Sequence, residues 1–125
     1  MQIVLEDVDH VQLCIPPGAE AQARAFYEGV LGFAEVPKPE SLISHGGMWY
    51  HCGNVEVHIG IDPVTQRTKG HPAFEVRGLN QIRKHLESHG IKIREEPLIP
   101  DRQRFSFNDP FGNRIEFLEY LTSVS

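Results

Sequence analysis

The sequence predicts an α+β fold made of two βαβββ modules, their mixed sheets forming a half-open, cupped barrel with the helices outside. Three observations predict it. Residues 10–60 and 71–120 present one order of parts twice: an alternating segment opened by a histidine, a helical stretch closed by glycine, a loop of proline and charge, then two strand-like runs. Hydrophobic periodicity changes from two to about 3.6 residues and back at matching points of each copy. A Gly-Asn pair, Gly53-Asn54 and Gly112-Asn113, precedes the last strand of both, and such pairs favour tight turns.

Each element follows from its local pattern. Residues 8–15 alternate, with Val11, Leu13 and Ile15 on one face and His10, Gln12 and Cys14 on the other. Pro16-Pro17-Gly18 ends this strand. A helix is predicted over 19–31, because Ala19, Ala23, Phe26 and Val30 recur at helical spacing. Gly32 stops it, since glycine accepts the left-handed conformation that closes a helix. A short strand at 33–36 and a polar loop at 37–47 follow. Residues 48–52 and 55–61 are two strands around Gly53-Asn54, and the second sets Val55, Val57, Ile59 and Ile61 against Glu56, His58 and Gly60. Residues 62–70 lack apolar periodicity and are the expected linker.

The second copy opens with a strand at 71–76, where His71, Ala73 and Glu75 share a face. Leu79, Ile82 and Leu86 form a helical stripe that ends at Gly90. A short strand at 91–95, a loop at 96–102 and strands at 104–107 and 114–120 complete it. Asp109-Pro110-Phe111-Gly112-Asn113 joins the last two as a turn. Module 1 is therefore expected at about 8–61 and module 2 at about 71–121, within one domain over 1–125.

Composition narrows the function classes. Twelve Lys and Arg against 17 Asp and Glu give a formal net charge of −5. No basic stripe is available for phosphates, so nucleic acid is not the expected partner. No apolar run approaches a membrane span, and no charged segment followed by an apolar one opens the chain as a signal peptide would. Two cysteines, Cys14 and Cys52, do not make a disulfide framework. Reduced thiols and a cytoplasmic location are expected.

The candidate chemistry sits at the ends of the copies. By strand parity His10, His58, His71 and Glu116 all lie on the non-aliphatic face, where one bulge would reverse the assignment. Two imidazoles and a carboxylate with open positions suit Fe(II), Mn, Ni, Co or Zn. Glu56 shares the face of His58 and competes with it as the fourth ligand. His85 and His89 have metal-capable spacing, i and i+4, but a solvated helix face accounts for them. Trp49, Tyr50 and Phe105 are candidates for a cavity wall, with core as the other reading, and Arg102 and Arg104 for a substrate carboxylate or phosphate, with solvated hairpin charge as the other reading.

Several segments together resemble the vicinal oxygen chelate superfamily, which includes glyoxalase I, fosfomycin-resistance enzymes, extradiol dioxygenases and bleomycin-binding proteins. They are Asp9-His10-Val11, Phe26-Tyr27 with Leu31-Gly32-Phe33, Val57-His58-Ile59-Gly60, Gly70-His71-Pro72-Ala73, and Asp109-Pro110-Phe111-Gly112-Asn113-Arg114-Ile115-Glu116. The resemblance implies a divalent metal on His10, His58, His71 and Glu116. Read from the residues themselves, Glu116 or Glu56 is the expected base, and Gln12, Trp49, Arg104 and Phe105 are the expected substrate-side residues. The resemblance also implies a metal-dependent lyase or isomerase, transferase or dioxygenase that chelates a small oxygen-rich substrate, and a homodimer. The alternative is a non-catalytic binder of a small antibiotic-type molecule. Fold alone does not choose between them.

Overall fold

The computed structural model describes residues 1–63 and 69–121, so part of the expected linker lies outside the described residues. The chain divides into two compact units, Met1–Thr65 and Gln66–Ser125. Each is a βαβββ module with an open, mixed four-stranded sheet.

The first unit contains β1 (His10–Ile15), α1 (Glu20–Arg24), β2 (Ala34–Val36), β3 (Met48–Cys52) and β4 (Val55–Ile61). The sheet order is β1-β4-β3-β2, with β1 parallel to β4 and the other pairs antiparallel. Six consecutive residue pairs join β1 to β4 without a bulge, so the parity read from the sequence holds along both strands. One face carries Leu13, Ile15, Met48, Tyr50, Val57 and Ile59, all buried. Ala23, Phe26 and Tyr27 are buried from the helical segment.

That segment departs from the expected single helix. After one turn of α-helix it widens into a π-helical stretch, Ala25–Val30. The Leu31 N–H donates to Phe26 O, five residues back, at 3.0 Å. The wider turn lets consecutive Phe26 and Tyr27 both be buried, with ring centroids 5.0 Å apart, edge to face. The polar loop also has structure of its own, a 3-10 turn at Glu40–His45. It ends at Gly46 and Gly47. Gly47 has φ of 78°, and a Cβ there would lie 2.0 Å from Ile59 O. Only glycine lets β3 start this close to β4.

The second unit contains β5 (Ala73–Glu75), α2 (Leu79–Ser88), β6 (Arg94–Glu95), β7 (Arg102–Asn108) and β8 (Arg114–Tyr120). Its order, β5-β8-β7-β6, repeats the first sheet with the same mixture of parallel and antiparallel pairs. Phe105, Phe107, Ile115 and Phe117 are buried, as are Leu79 and Leu86 of α2. The Phe107 and Phe117 rings meet edge to face at 5.0 Å. The turn before β8 is held by Asp109, whose Oδ1 accepts from the N–H groups of Phe111 and Asn113 at 2.9 and 2.8 Å. No described helix is long and apolar enough to cross a membrane.

Candidate functional site

In the first unit, β1, β3 and β4 turn a polar face outward from the aliphatic one. Register sets Trp49 and Gln12 beside His58, and His51 and His10 beside Glu56. The rings use this proximity. Trp49 stacks on His58 at 3.9 Å between centroids and 4° between planes. His10 stacks with His58 at 4.1 Å and 13°. His58 is 5% exposed as a result. Its Nε2 lies 2.9 Å from Glu56 Oε1, and Glu56 Oε2 is 3.9 Å from His51 Nδ1. His10 Nδ1 lies 2.8 Å from Asp9 Oδ2, and His10 is exposed. Gln12 lies over Gly60, where a Cβ would come within 2.7 Å of Gln12 Nε2.

In the second unit, the polar face carries Glu116 of β8 beside Ser106 of β7, and Leu118 beside Arg104. Glu116 is 4% exposed. Its Oε1 meets His71 Nε2 at 3.1 Å and accepts from Arg104 Nη1 at 3.2 Å. His71 precedes β5, and its Nδ1 is 2.9 Å from Lys69 O. A neighbouring group, not expected from the sequence, is built around Glu96. Its Oε1 accepts from Ser106 Oγ at 2.6 Å and from Arg114 Nη2. The Ser106 hydrogen bond, then Arg114, holds the Glu96 carboxyl below its usual range.

His71 and Glu116 meet the chemical requirements of a metal-binding pair. A carbonyl oxygen only accepts, so Lys69 O places a proton on His71 Nδ1 and leaves Nε2 as the second, variable nitrogen. In the neutral ring Nε2 is a lone pair facing a carboxylate oxygen, and two acceptors at 3.1 Å need a cation, whether a proton or a metal. Two ligand atoms bound about 2.1 Å from a metal at a right angle are about 3 Å apart, which matches this spacing. Anchoring of the other ring nitrogen by a carbonyl or carboxylate is the usual support of a metal-bound histidine. His10 has the same arrangement through Asp9. Among the described residues of either unit, no three His, Cys, Asp or Glu side chains form a ready cluster.

The other expected residues are placed as follows. Phe105 is fully buried against Phe107 and Phe117, with the Arg83 guanidinium 5.0 Å over its ring from α2. Trp49 is occupied by its stack on His58. Arg104 stands beside Glu116. His85 and His89 contact each other on α2 and its end, with centroids 4.8 Å apart. Burial, with Glu56 nearby, pushes the Cys52 thiol up to about 11, so it is a poor nucleophile at neutral pH.

Fold and polar faces together define a class, paired βαβββ modules with histidine and carboxylate at the strand ends. Residues 7–117 match the Glyoxalase/Bleomycin resistance protein/Dioxygenase superfamily, and the chain belongs to that superfamily. A Bacillus anthracis structure described as a glyoxalase family protein is 43% identical, with a TM-score of 0.90, covering 97% of this chain and 100% of that one. Glyoxylase I 4 of Arabidopsis thaliana is 31% identical over 104 residues, 73% of this chain; the chain spans 59% of that relative's length. A glyoxalase/dioxygenase from Nostoc punctiforme is 18% identical with a TM-score of 0.77, covering 98% of this chain and 99% of that one, a likeness of fold alone.

Proposed function

We propose that the chain is a divalent-metal-dependent enzyme of the glyoxalase or dioxygenase type, acting on a small oxygen-rich substrate. The observation that carries this reading is the His71–Glu116 pair, with Nε2 and Oε1 3.1 Å apart and Nδ1 tied to a backbone carbonyl. In this reading His10, His71 and Glu116 are ligands, and His58 or Glu56 is the fourth. The reading holds whether the ligands come from one copy of the chain or from two copies of a homodimer, and we place the protein in the cytoplasm. A bound Fe, Ni, Mn, Co or Zn ion would act as a Lewis acid on substrate oxygens.

The chain's own residues supply the rest. Glu116 is held against His71 and Arg104. Glu56 sits against His58 and within 3.9 Å of His51, and is only partly buried. A carboxylate in that position can take a proton from a substrate carbon or hydroxyl and return it, the role of a general base.

Metal uptake tests the reading. Protein stripped of metal and dialysed against Ni, Fe, Mn or Zn should take up a stoichiometric ion. His71→Ala and Glu116→Gln should each weaken uptake by at least about tenfold, the range seen when metal-site residues are altered. No uptake of any of these ions would sink the proposal. Unchanged uptake in His71→Ala would remove His71 from the ligand set.

A further inference from the structure

The strand-end site leaves one histidine pair of the second unit unused. α2 lies on the aliphatic side of its sheet, where Leu79 and Leu86 are buried and Arg83 reaches over the Phe105 ring. Glu116, with His71 against it, belongs to the opposite face, since register sets Ser106 beside Glu116 and Phe105 beside Phe117. His85 and His89 stand one turn apart at the end of α2, and both are exposed. Their ring centroids are 4.8 Å apart, with 63° between the planes. The matching helical segment of the first copy, residues 19–31, contains no histidine, so the pair lies outside the duplicated pattern. A solvated helix face explains why the two side chains are exposed. It does not require the two rings to meet.

We propose that His85 and His89 form a second metal site, a surface chelate for a divalent ion such as Ni, Cu or Zn, separate from the strand-end histidines and carboxylates. Residues four apart on a helix are neighbours, with about 5–6 Å between their Cβ atoms. An imidazole nitrogen binds such an ion at about 2.0–2.1 Å, which puts the ring centre about 3.2 Å from it. Two rings at about 90–110° around one ion then have centres about 4.5–5.2 Å apart. The observed 4.8 Å falls inside that range. Imidazole suits Ni, Cu and Zn alike. His89 is the C-cap of α2, at the negative end of the helix dipole, where a cation is favoured. Among the described residues no third His, Cys, Asp or Glu joins the pair. Water therefore fills the remaining positions, and the site is weaker than one with three or four protein ligands. Once bound, the ion ties the last turn of α2 to the residue that ends it and resists fraying there.

Nickel titrated into the full chain and followed by calorimetry tests this. The wild type should show a class of site that His71→Ala retains. His85→Ala and His89→Ala should each weaken that class by at least about tenfold, because the second imidazole binds the same ion in an intramolecular step. His45→Ala, which alters an exposed histidine of another segment, should leave it unchanged. Hydrogen exchange gives a second readout. With nickel at ten times the dissociation constant of this class, amides at the end of α2 should exchange about tenfold more slowly in the wild type, with no slowing in His85→Ala. Circular dichroism confirms that each variant is folded. Three results overturn the inference: no nickel class that survives His71→Ala, unweakened binding in folded His85→Ala and His89→Ala, or exchange at the end of α2 that nickel leaves unchanged in the wild type.

Discussion

At the level of single residues, the histidine of β4 is held from three directions. His58 is covered on one face by Trp49 and on the other by His10, and its Nε2 is held by Glu56. Such packing fixes ring orientation in advance, so binding a ligand through this face costs less ordering. Trp49 is the chain's single tryptophan. Trp49→Ala should weaken metal uptake by about tenfold, as loss of supporting partners of metal ligands does, and Trp49→Phe should recover most of it. Equilibrium dialysis against zinc measures this, and zinc should also change the tryptophan emission of the wild type. Emission that stays constant through full loading would show that the stack does not sense the ion. The sequence made His58 and Glu56 visible through strand alternation, because β1 and β4 pair without a bulge. The stack on Trp49 depended on cross-strand register, which alternation alone does not reveal. Arg104 and Phe105 are consecutive on β7, and neighbouring strand residues point to opposite faces. Ser106 between Phe105 and Phe107 marks that alternation, and it leads to the Glu96 and Arg114 cluster that was missed.

At the level of elements, α2 shows what a local reading leaves out. Its stripe of Leu79, Ile82 and Leu86 and its stop at Gly90 were legible. Its N-terminal support was not. Gly78 stands at the N-cap with φ of 77° and offers no side chain. The first N–H groups are taken instead by Glu119 of β8, which accepts from Leu79 at 3.0 Å and Gly78 at 3.1 Å. A carboxylate here also faces the positive end of the helix. These backbone donors, Leu79 first and then Gly78, hold the Glu119 carboxyl below its usual range. A lowered folded-state value means stabilisation that is present above the ordinary carboxylate value and lost as pH falls through the folded one. Glu119→Gln should therefore lower the urea midpoint at pH 7. The gap from wild type should narrow on acidification below about pH 4, near the unperturbed glutamate value. Urea titrations at pH 7 and pH 3.5 decide it. A gap that is constant with pH would mean that packing, not the carboxylate charge, holds the helix start. The π-helical stretch of the first unit was illegible for a related reason. Phe26 and Tyr27 both needed burial, and a regular 3.6-residue helix spreads adjacent residues over too wide an arc for one stripe.

For the whole molecule, the duplicated order of parts was the clearest statement in the sequence, because turns and periodicity recur in both copies. The two sheets repeat one strand order with one pattern of parallel and antiparallel pairing. Each aliphatic face is built from its own strands and helical segment, and each polar face holds a histidine against a carboxylate, His58 with Glu56 and His71 with Glu116. Groups held so close have a consequence for global stability. The buried carboxylate of Glu116, 4% exposed, meets His71 and Arg104 among the described residues. An ion that binds only the folded chain adds stability by mass action, about 2.7 kcal/mol at a concentration one hundred times its dissociation constant. For a chain of this size that corresponds to a rise in Tm on the order of 10 °C. Zinc or nickel at that excess should raise the Tm of the wild type by this amount, and His71→Ala should abolish most of the rise while keeping a cooperative transition. Scanning calorimetry of both proteins, with and without the ion, measures it. An equal rise in both would place the stabilising ion elsewhere, with the exposed His85–His89 pair the first location to examine by His85→Ala.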